Sequence, residues 1–335
     1  MHSGRSYNQN GSIYPNGTAR NRATSRLARP PNAVILSAHT RRDEKHARQR
    51  QADSTEDSLS SLRAWIRLCI VASGLLLGTF PGSFAADKTD QVRFSYVEPK
   101  DPELMDAYRD VRKRRVLERL QEFLVPFKLP RPVTFTFSGC AGEDDAFYFD
   151  YDITVCYELV DELQLAKPKK VTADGVAPHD AVAGPFFSTA LHEFAHAFFQ
   201  LHQTPILGRE EDAADQFAAY IILLLDDKAA SRLIRGTAYA YMTKAKERKS
   251  ASTIEFSSEH GIAEQRYYNV LCMAYGADPA FYSDLKSLNI LPEDRAERCQ
   301  DEFEQIEDAY KAVILPHVDE TLAQEVWGKL QVRTE

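Results

Sequence analysis

The chain has 335 residues, 44% of them hydrophobic, with 41 Lys and Arg against 49 Asp and Glu and a formal net charge of −8. That length buries a substantial core as one domain or two tight lobes. The acidity argues against nucleic acid as a partner.

Residues 1–62 are rich in Arg, Ser, Asn and Gln and carry ten Lys or Arg against five Asp or Glu. They read as a disordered basic tail or as residues upstream of the true start. Arg63 and Arg67, the apolar run 68–77, Pro81 and Ser83-Phe84-Ala85-Ala86 then follow in the order of a secretory signal. Cleavage is expected after Ala85. Ten apolar residues are too few to span a bilayer comfortably, which favours a signal over a short anchor at 64–80. The expectation is an exported, periplasmic or secreted protein with a single domain over 86–335. Residues 1–85 carry a net +7, which leaves −15 on that domain. No later segment is long and apolar enough to insert stably in a membrane.

In chain order, 102–124 reads as a helix, because Leu104, Tyr108, Val111, Leu117, Leu120 and Leu124 recur near helical spacing. Pro126, Pro130 and Pro132 end it. The alternation at 133–137 reads as a strand. The aromatic and acidic stretch 144–151 reads as a turn leading into a second strand at 153–155. A short helix over 157–165 precedes a loop over 167–184. Helices follow at 186–201, 210–225, 229–249, 263–275 and 295–314, and Pro316 stops the last. Helices dominate and a small sheet lies near the front, so the fold class is α+β.

Four of the five cysteines lie beyond Ala85: Cys140, Cys156, Cys272 and Cys299. An even number in an exported chain suggests two disulfides, with three possible connectivities. The local pairs are expected. Cys140–Cys156 closes a loop worth about 3 kcal/mol in the chain-entropy model, and Cys272–Cys299 ties two helices together. No C-x-x-C spacing supports cysteine as a metal ligand.

The helix at 186–201 contains His192-Glu193-Phe194-Ala195-His196, which reads H-E-x-x-H. Residues four apart on a helix lie about 40° apart around the axis, so both imidazoles can reach one metal ion. Glu193 sits at the edge of that face, where it can hold a metal-activated water without being a ligand. Pro205 and Gly208 mark a loop, after which Glu211 and Asp215 share the face of the next helix. Catalytic zinc takes three protein ligands and leaves one position open. Glu211 can be the third ligand. Asp215 can accept a hydrogen bond from a ligand histidine, His192 being the expected one, and fix its tautomer. Glu210 and Asp212 read as favourable first-turn charges.

His202 is a rival third ligand, because it follows His196 at the spacing of H-E-x-x-H-x-x-G-x-x-H. That pattern needs glycine where Phe199 stands, and Phe199 does not readily take positive φ. A di-iron carboxylate site is disfavoured, because the chain has a single E-x-x-H pair.

The combination of His192-Glu193-x-x-His196 with Glu211-x-x-x-Asp215 resembles the gluzincins, the thermolysin-like zinc peptidases. The resemblance implies a zincin-like fold, one zinc ion on His192, His196 and Glu211, Glu193 as general base and Asp215 as orienting residue. A closer resemblance covers most of 95–320. It rests on Cys140-Ala141-Gly142, Asp145-Ala146-Phe147-Tyr148, Cys156-Tyr157-Glu158-Leu159, the run from Leu207 through Glu211 to Gln216, and Gln265-Arg266-Tyr267-Tyr268-Asn269. These segments are similar to a family of exported bacterial proteins described as metallopeptidases. That family's usual Asn is Asp145 here, and residues 1–62 have no counterpart in it.

The chemistry expected is hydrolysis of a peptide or protein substrate by a metal-activated water, with Glu193 as general base. His260, with Arg266, Tyr267 and Tyr268 behind it, is the candidate donor to the oxyanion. The aromatic run Phe147-Tyr148-Phe149-Tyr151 reads first as core or disulfide packing, and otherwise as a strand edge that pairs with extended peptide. Two other readings stand beside this one. The chain could be a catalytically silent zinc-binding scaffold, or a metal-dependent hydrolase of another amide.

Overall fold

A computed structural model describes residues 91–247 and 252–333. The expected tail at 1–62 and signal at 63–85 lie outside the described residues. So does the end of the helix expected at 229–249.

Four strands form one mixed sheet in the order β1-β2-β4-β3. They are β1 (Val92–Tyr96), β2 (Val133–Ser138), β3 (Ala146–Phe149) and β4 (Asp152–Cys156). β1, β2 and β4 run parallel, and β3 pairs antiparallel with β4 at the edge. Alternation in β2 buries Val133, Phe135 and Phe137 against the helices. Half of the stretch 144–151 is strand, β3, rather than turn. Asp150 and Tyr151 alone make the hairpin turn, both at positive φ (46° and 72°). Neither is the glycine that announces such a turn, and the Arg131 guanidinium stacks 3.7 Å from the Tyr151 ring. β1 was not anticipated.

The expected helix 102–124 is two helices, α1 (Met105–Lys113) and α2 (Val116–Leu124), after a 3-10 turn at Pro102–Leu104. Arg115 breaks it with φ 55°. The break falls in an exposed basic run, so the apolar spacing on either side does not reveal it. Then follow α3 (Tyr157–Ala166), α4 (Asp180–His202), α5 (Glu210–Leu223), α6 (Asp227–Glu247), α7 (Ala263–Ala277), α8 (Cys299–Val313) and α9 (Glu320–Arg333). α9 was not expected from the sequence.

α4 starts six residues before the sequence reading placed it and runs through Pro185. Gly184 and Pro185 look like helix breakers. Proline removes only one ladder bond here, and the glycine serves packing. A Cβ on Gly184 would strike the Leu233 carbonyl oxygen, and one on Gly236 would strike that of Asp180. The two glycines let α4 and α6 cross with their backbones in contact.

α4 is the central helix. Leu191, Phe194, Ala195 and Phe198 are fully buried, as suits a helix that is apolar on nearly every side. Phe127 packs against Phe194, Phe198 and Phe217 with ring centroids 5.0–5.8 Å away, which joins α4 to α5. The tertiary structure is a predominantly helical α+β fold with its sheet edge beside the motif helix. Both expected disulfides are present, Cys140–Cys156 and Cys272–Cys299, with Cα atoms 5.5 and 5.0 Å apart. Among the described residues no helix is long and apolar enough to cross a membrane.

α4 continues through Phe199 and turns only at Gln203, with φ 50°. His202 consequently faces the core end of the helix. Its ring lies 3.8 Å from that of His317 and 4.4 Å from that of Phe198, and its Nε2 is buried without a partner. Burial and the neighbouring His317 lower its pKa. The folded state therefore resists protonation that the unfolded chain accepts below about pH 6.5. Stability from this residue is complete above that pH and is lost as pH falls. Denaturant unfolding at pH 7.5 and 5.5 should show a smaller acid loss in His202→Phe than in the parent. An equal loss in both would remove His202 as a cause.

Candidate metal centre

One face of α4 presents His192 and His196, and the first turns of α5 present Glu210, Glu211 and Asp215. The residues around Glu211 converge on one carboxylate oxygen. His192 Nε2 lies 2.9 Å from Glu211 Oε2, His260 Nε2 lies 2.7 Å from it, and His196 Nε2 lies 3.5 Å from it. The Nε2 atoms of His192 and His196 are 3.2 Å apart. His192, Glu211 and His260 offer donor atoms that all lie within 4.8 Å of one another.

The other ring nitrogens are held from behind. His192 Nδ1 is 2.9 Å from Asp215 Oδ1, and His196 Nδ1 is 2.8 Å from Glu210 Oε1. An ionised carboxylate only accepts, so each Nδ1 is the donor, and each Nε2 is aimed at the shared point. Glu210, read from the sequence only as a first-turn charge, thus orients the second histidine. Nothing in its local context distinguishes it from Asp212, which pairs with Arg209 at 2.6 Å.

Asp215 carries more than one histidine. Arg266, on α7, grips both of its oxygens, Nε to Oδ2 at 2.7 Å and Nη2 to Oδ1 at 2.6 Å. The guanidinium in turn lies 4.6 Å from the Tyr241 ring of α6. The sequence reading set Arg266 behind His260. Its carboxylate partner is 51 residues away in the chain, and no local signal reveals that pairing.

The electrostatics follow from this crowding. Hydrogen bonds from His192, His196 and His260 hold Glu211 far below the usual carboxylate range. Burial would raise Asp215, but the His192 hydrogen bond and the Arg266 charge overcome it and keep the group ionised. Burial pulls the His192 imidazole down, while Asp215 and Glu211 outweigh it and hold it up at about 9. Glu193 differs from the other carboxylates. It is 7% exposed, and burial lifts it to about 6 against the pull of His192 and His196, with the Asp145 charge adding to the rise.

Imidazole nitrogens and a carboxylate that converge this closely form a donor set on which a divalent cation can take the place of protons. Zinc bonds of about 2.0–2.1 Å in a tetrahedron put ligand atoms about 3.3 Å apart. The separations among His192, His196 and Glu211, 2.9–3.5 Å, fit that ion.

Residues 96–314 match the family described as "Putative metallopeptidase". The chain belongs to this family. The match takes in both helices of the cluster, His260, Arg266 and all four bridged cysteines. Membership in the family points to a metal and to a peptide or protein substrate. No curated protein and no solved structure matches the chain.

Removing Asp215 leaves Arg266 partly buried and unpaired, which costs roughly 3–5 kcal/mol for a buried pair. Losing the orienting carboxylate also weakens metal binding by about 10–100-fold. Asp215→Ala is therefore expected to lower both the denaturant midpoint and zinc affinity, measured by unfolding and by competition with a chelating dye. Asp215→Asn, which keeps the shape and one acceptor oxygen but not the charge that balances Arg266, should lose less affinity than Asp215→Ala and still lose stability. Unchanged affinity in both variants would refute the orienting role.

Proposed function

We propose that this chain is an exported, gluzincin-like zinc peptidase in which His192, His196 and Glu211 hold the ion and Glu193 is the general base. The observation that carries the reading is the division of labour among carboxylates around one point. Glu211 is at ligand distance from the two motif imidazoles, and Glu210 and Asp215 orient those imidazoles. Glu193 is buried beside them and, among the described residues, is hydrogen-bonded to none.

A zinc ion in this position supplies Lewis acidity towards a carbonyl and makes water a stronger acid. Glu193, raised to about 6 by burial, is a stronger base than an ordinary carboxylate yet is ionised at neutral pH. It takes the proton of the attacking water and delivers it to the leaving amine. His260 has a side chain 44% exposed, so it can turn from Glu211 towards substrate and donate to the oxyanion. Asp145 perturbs Glu193, and the Tyr148 hydroxyl donates to Gln200 Oε1 at 2.7 Å. β3 thus runs along α4 over about two helical turns, with an edge that no described strand pairs. An extended peptide can add to that edge above the cluster. Two disulfides support an oxidising compartment.

A second reading has its own observation. His260 Nε2 is nearer to Glu211 than either motif histidine is. If His260 is a fourth ligand, the site is closed, as structural zinc sites are, and the chain is a zinc-stabilised scaffold.

Two variants separate these readings. Glu193→Gln should keep about one zinc per chain and lower cleavage of casein or a peptide library by about 10²–10⁴. His260→Ala should keep zinc affinity and lose turnover if it is the oxyanion donor, whereas a scaffold loses affinity and has no turnover to lose. Wild-type cleavage that survives chelation would dismiss the metal altogether.

A further inference from the structure

A cavity of about 600 Å³ lies between α1, α2, α3, the first turns of α4 and α6, and none of the residues of the metal cluster lines it. Its interior is apolar, with Leu120, Phe123, Val160, Phe186, Phe187 and Leu233 in the wall. Phe123 is 1% exposed and Leu120 3% exposed, so the cavity reaches the core. Its volume falls within the range of small-molecule sites, about 300–1,000 Å³.

The one buried charge in the wall, Asp180, is 6% exposed and pairs with Arg232. Arg114, Arg119, Lys167 and Arg232 also line the cavity, and all four are exposed. Two of them are balanced, Arg114 by Asp110 at 2.8 Å and Arg232 by Asp180 at 2.9 Å. Arg119 and Lys167 have no carboxylate partner among the described residues. The Lys167 ammonium donates to the neutral amide of Gln164. A chain of net charge −8 thus places two uncompensated cations at the mouth of an apolar chamber. An uncharged ligand has no use for them, and a small hydrophilic anion has no use for the aromatic wall.

We propose that this cavity binds a single-chain anionic amphiphile, a long-chain carboxylate, with its tail against Phe123, Phe186 and Phe187 and its head at Arg119 and Lys167. Phe186 and Phe187 belong to α4, about 7–9 Å along the axis from His192, so the occupant rests on the helix that carries the motif histidines.

The protein contains its own reporter. Trp327 donates through Nε1 to the Phe123 carbonyl at 3.3 Å, and its ring lies 5.8 Å from that of Phe123. Trp65 is the other tryptophan, so the full-length chain with Trp65→Phe isolates the signal. Titration with 9,10-dibromostearate below its micelle concentration should quench Trp327 saturably, at one equivalent per chain. Its methyl ester should bind more weakly. Arg119→Glu with Lys167→Glu, both at exposed positions, should weaken the acid about tenfold and leave the ester unchanged. Ala183→Phe, which pushes a ring into the chamber, should weaken quenching by both. Circular dichroism of each variant establishes that it is folded. Non-saturable quenching, equal affinity for acid and ester, or indifference to the charge reversal in a folded variant would overturn the proposal. Tighter binding of the ester than of the acid would do the same, in favour of an uncharged occupant.

Discussion

The hydrogen bond between His192 Nδ1 and Asp215 Oδ1, 2.9 Å long, is the contact on which the rest of the centre depends. It turns the His192 ring so that Nε2 meets Glu211. It requires Asp215 to be ionised inside a largely buried cluster, which is unfavourable unless the charge is paired. Arg266 provides that pairing with two hydrogen bonds, and Tyr241 gives the guanidinium an aromatic face. Four helices, α4 to α7, are thereby tied to the orientation of one imidazole. A change in any of them reaches the centre through a chain of charged groups rather than through the backbone alone.

Apolar packing sets the scale on which that chain works. Phe194 and Phe198 of α4 meet Phe217 of α5 around Phe127, and this fixes the distance between the two helices. The carboxylates of α5 lie in its first turns, where the helix dipole favours negative charge by about 0.3–1 kcal/mol. The same positive end favours the ionised forms of Glu210 and Glu211. The apolar side of the α4–α5 contact is stable in its own right, and the polar side gains its geometry from it.

The edge strand is positioned with similar economy. Cys140–Cys156 links the segment before β3 to the last residue of β4. The Glu158 carboxylate of α3 accepts from the backbone N–H of Cys140 at 2.8 Å and of Gly142 at 3.2 Å. These contacts settle where Asp145 and Ala146 enter the sheet, and so how β3 lies along α4. A disulfide and a carboxylate remote from the histidine cluster thus set the position of the sheet edge beside α4.

Local pattern carried the cluster a long way. The spacing of His192, Glu193 and His196, and of Glu211 and Asp215, is helical arithmetic that holds wherever the two helices form. The parity of the cysteines pointed to both bridges, and alternation at 133–137 located β2. What the pattern misread has local causes too. Gly184 and Pro185 carry the marks of a breaker yet lie within α4, because the first lets α6 approach and the second forgoes one hydrogen bond. Arg115, Asp150 and Tyr151 adopt left-handed backbone without being glycine. The remainder was never local. Arg266 reaches Asp215 across 51 residues, and His260 reaches Glu211 from the segment before α7. Periodicity places a side chain on a face of its own helix. Which foreign residue that face meets depends on how the helices pack, and burial and charge balance are satisfied only there.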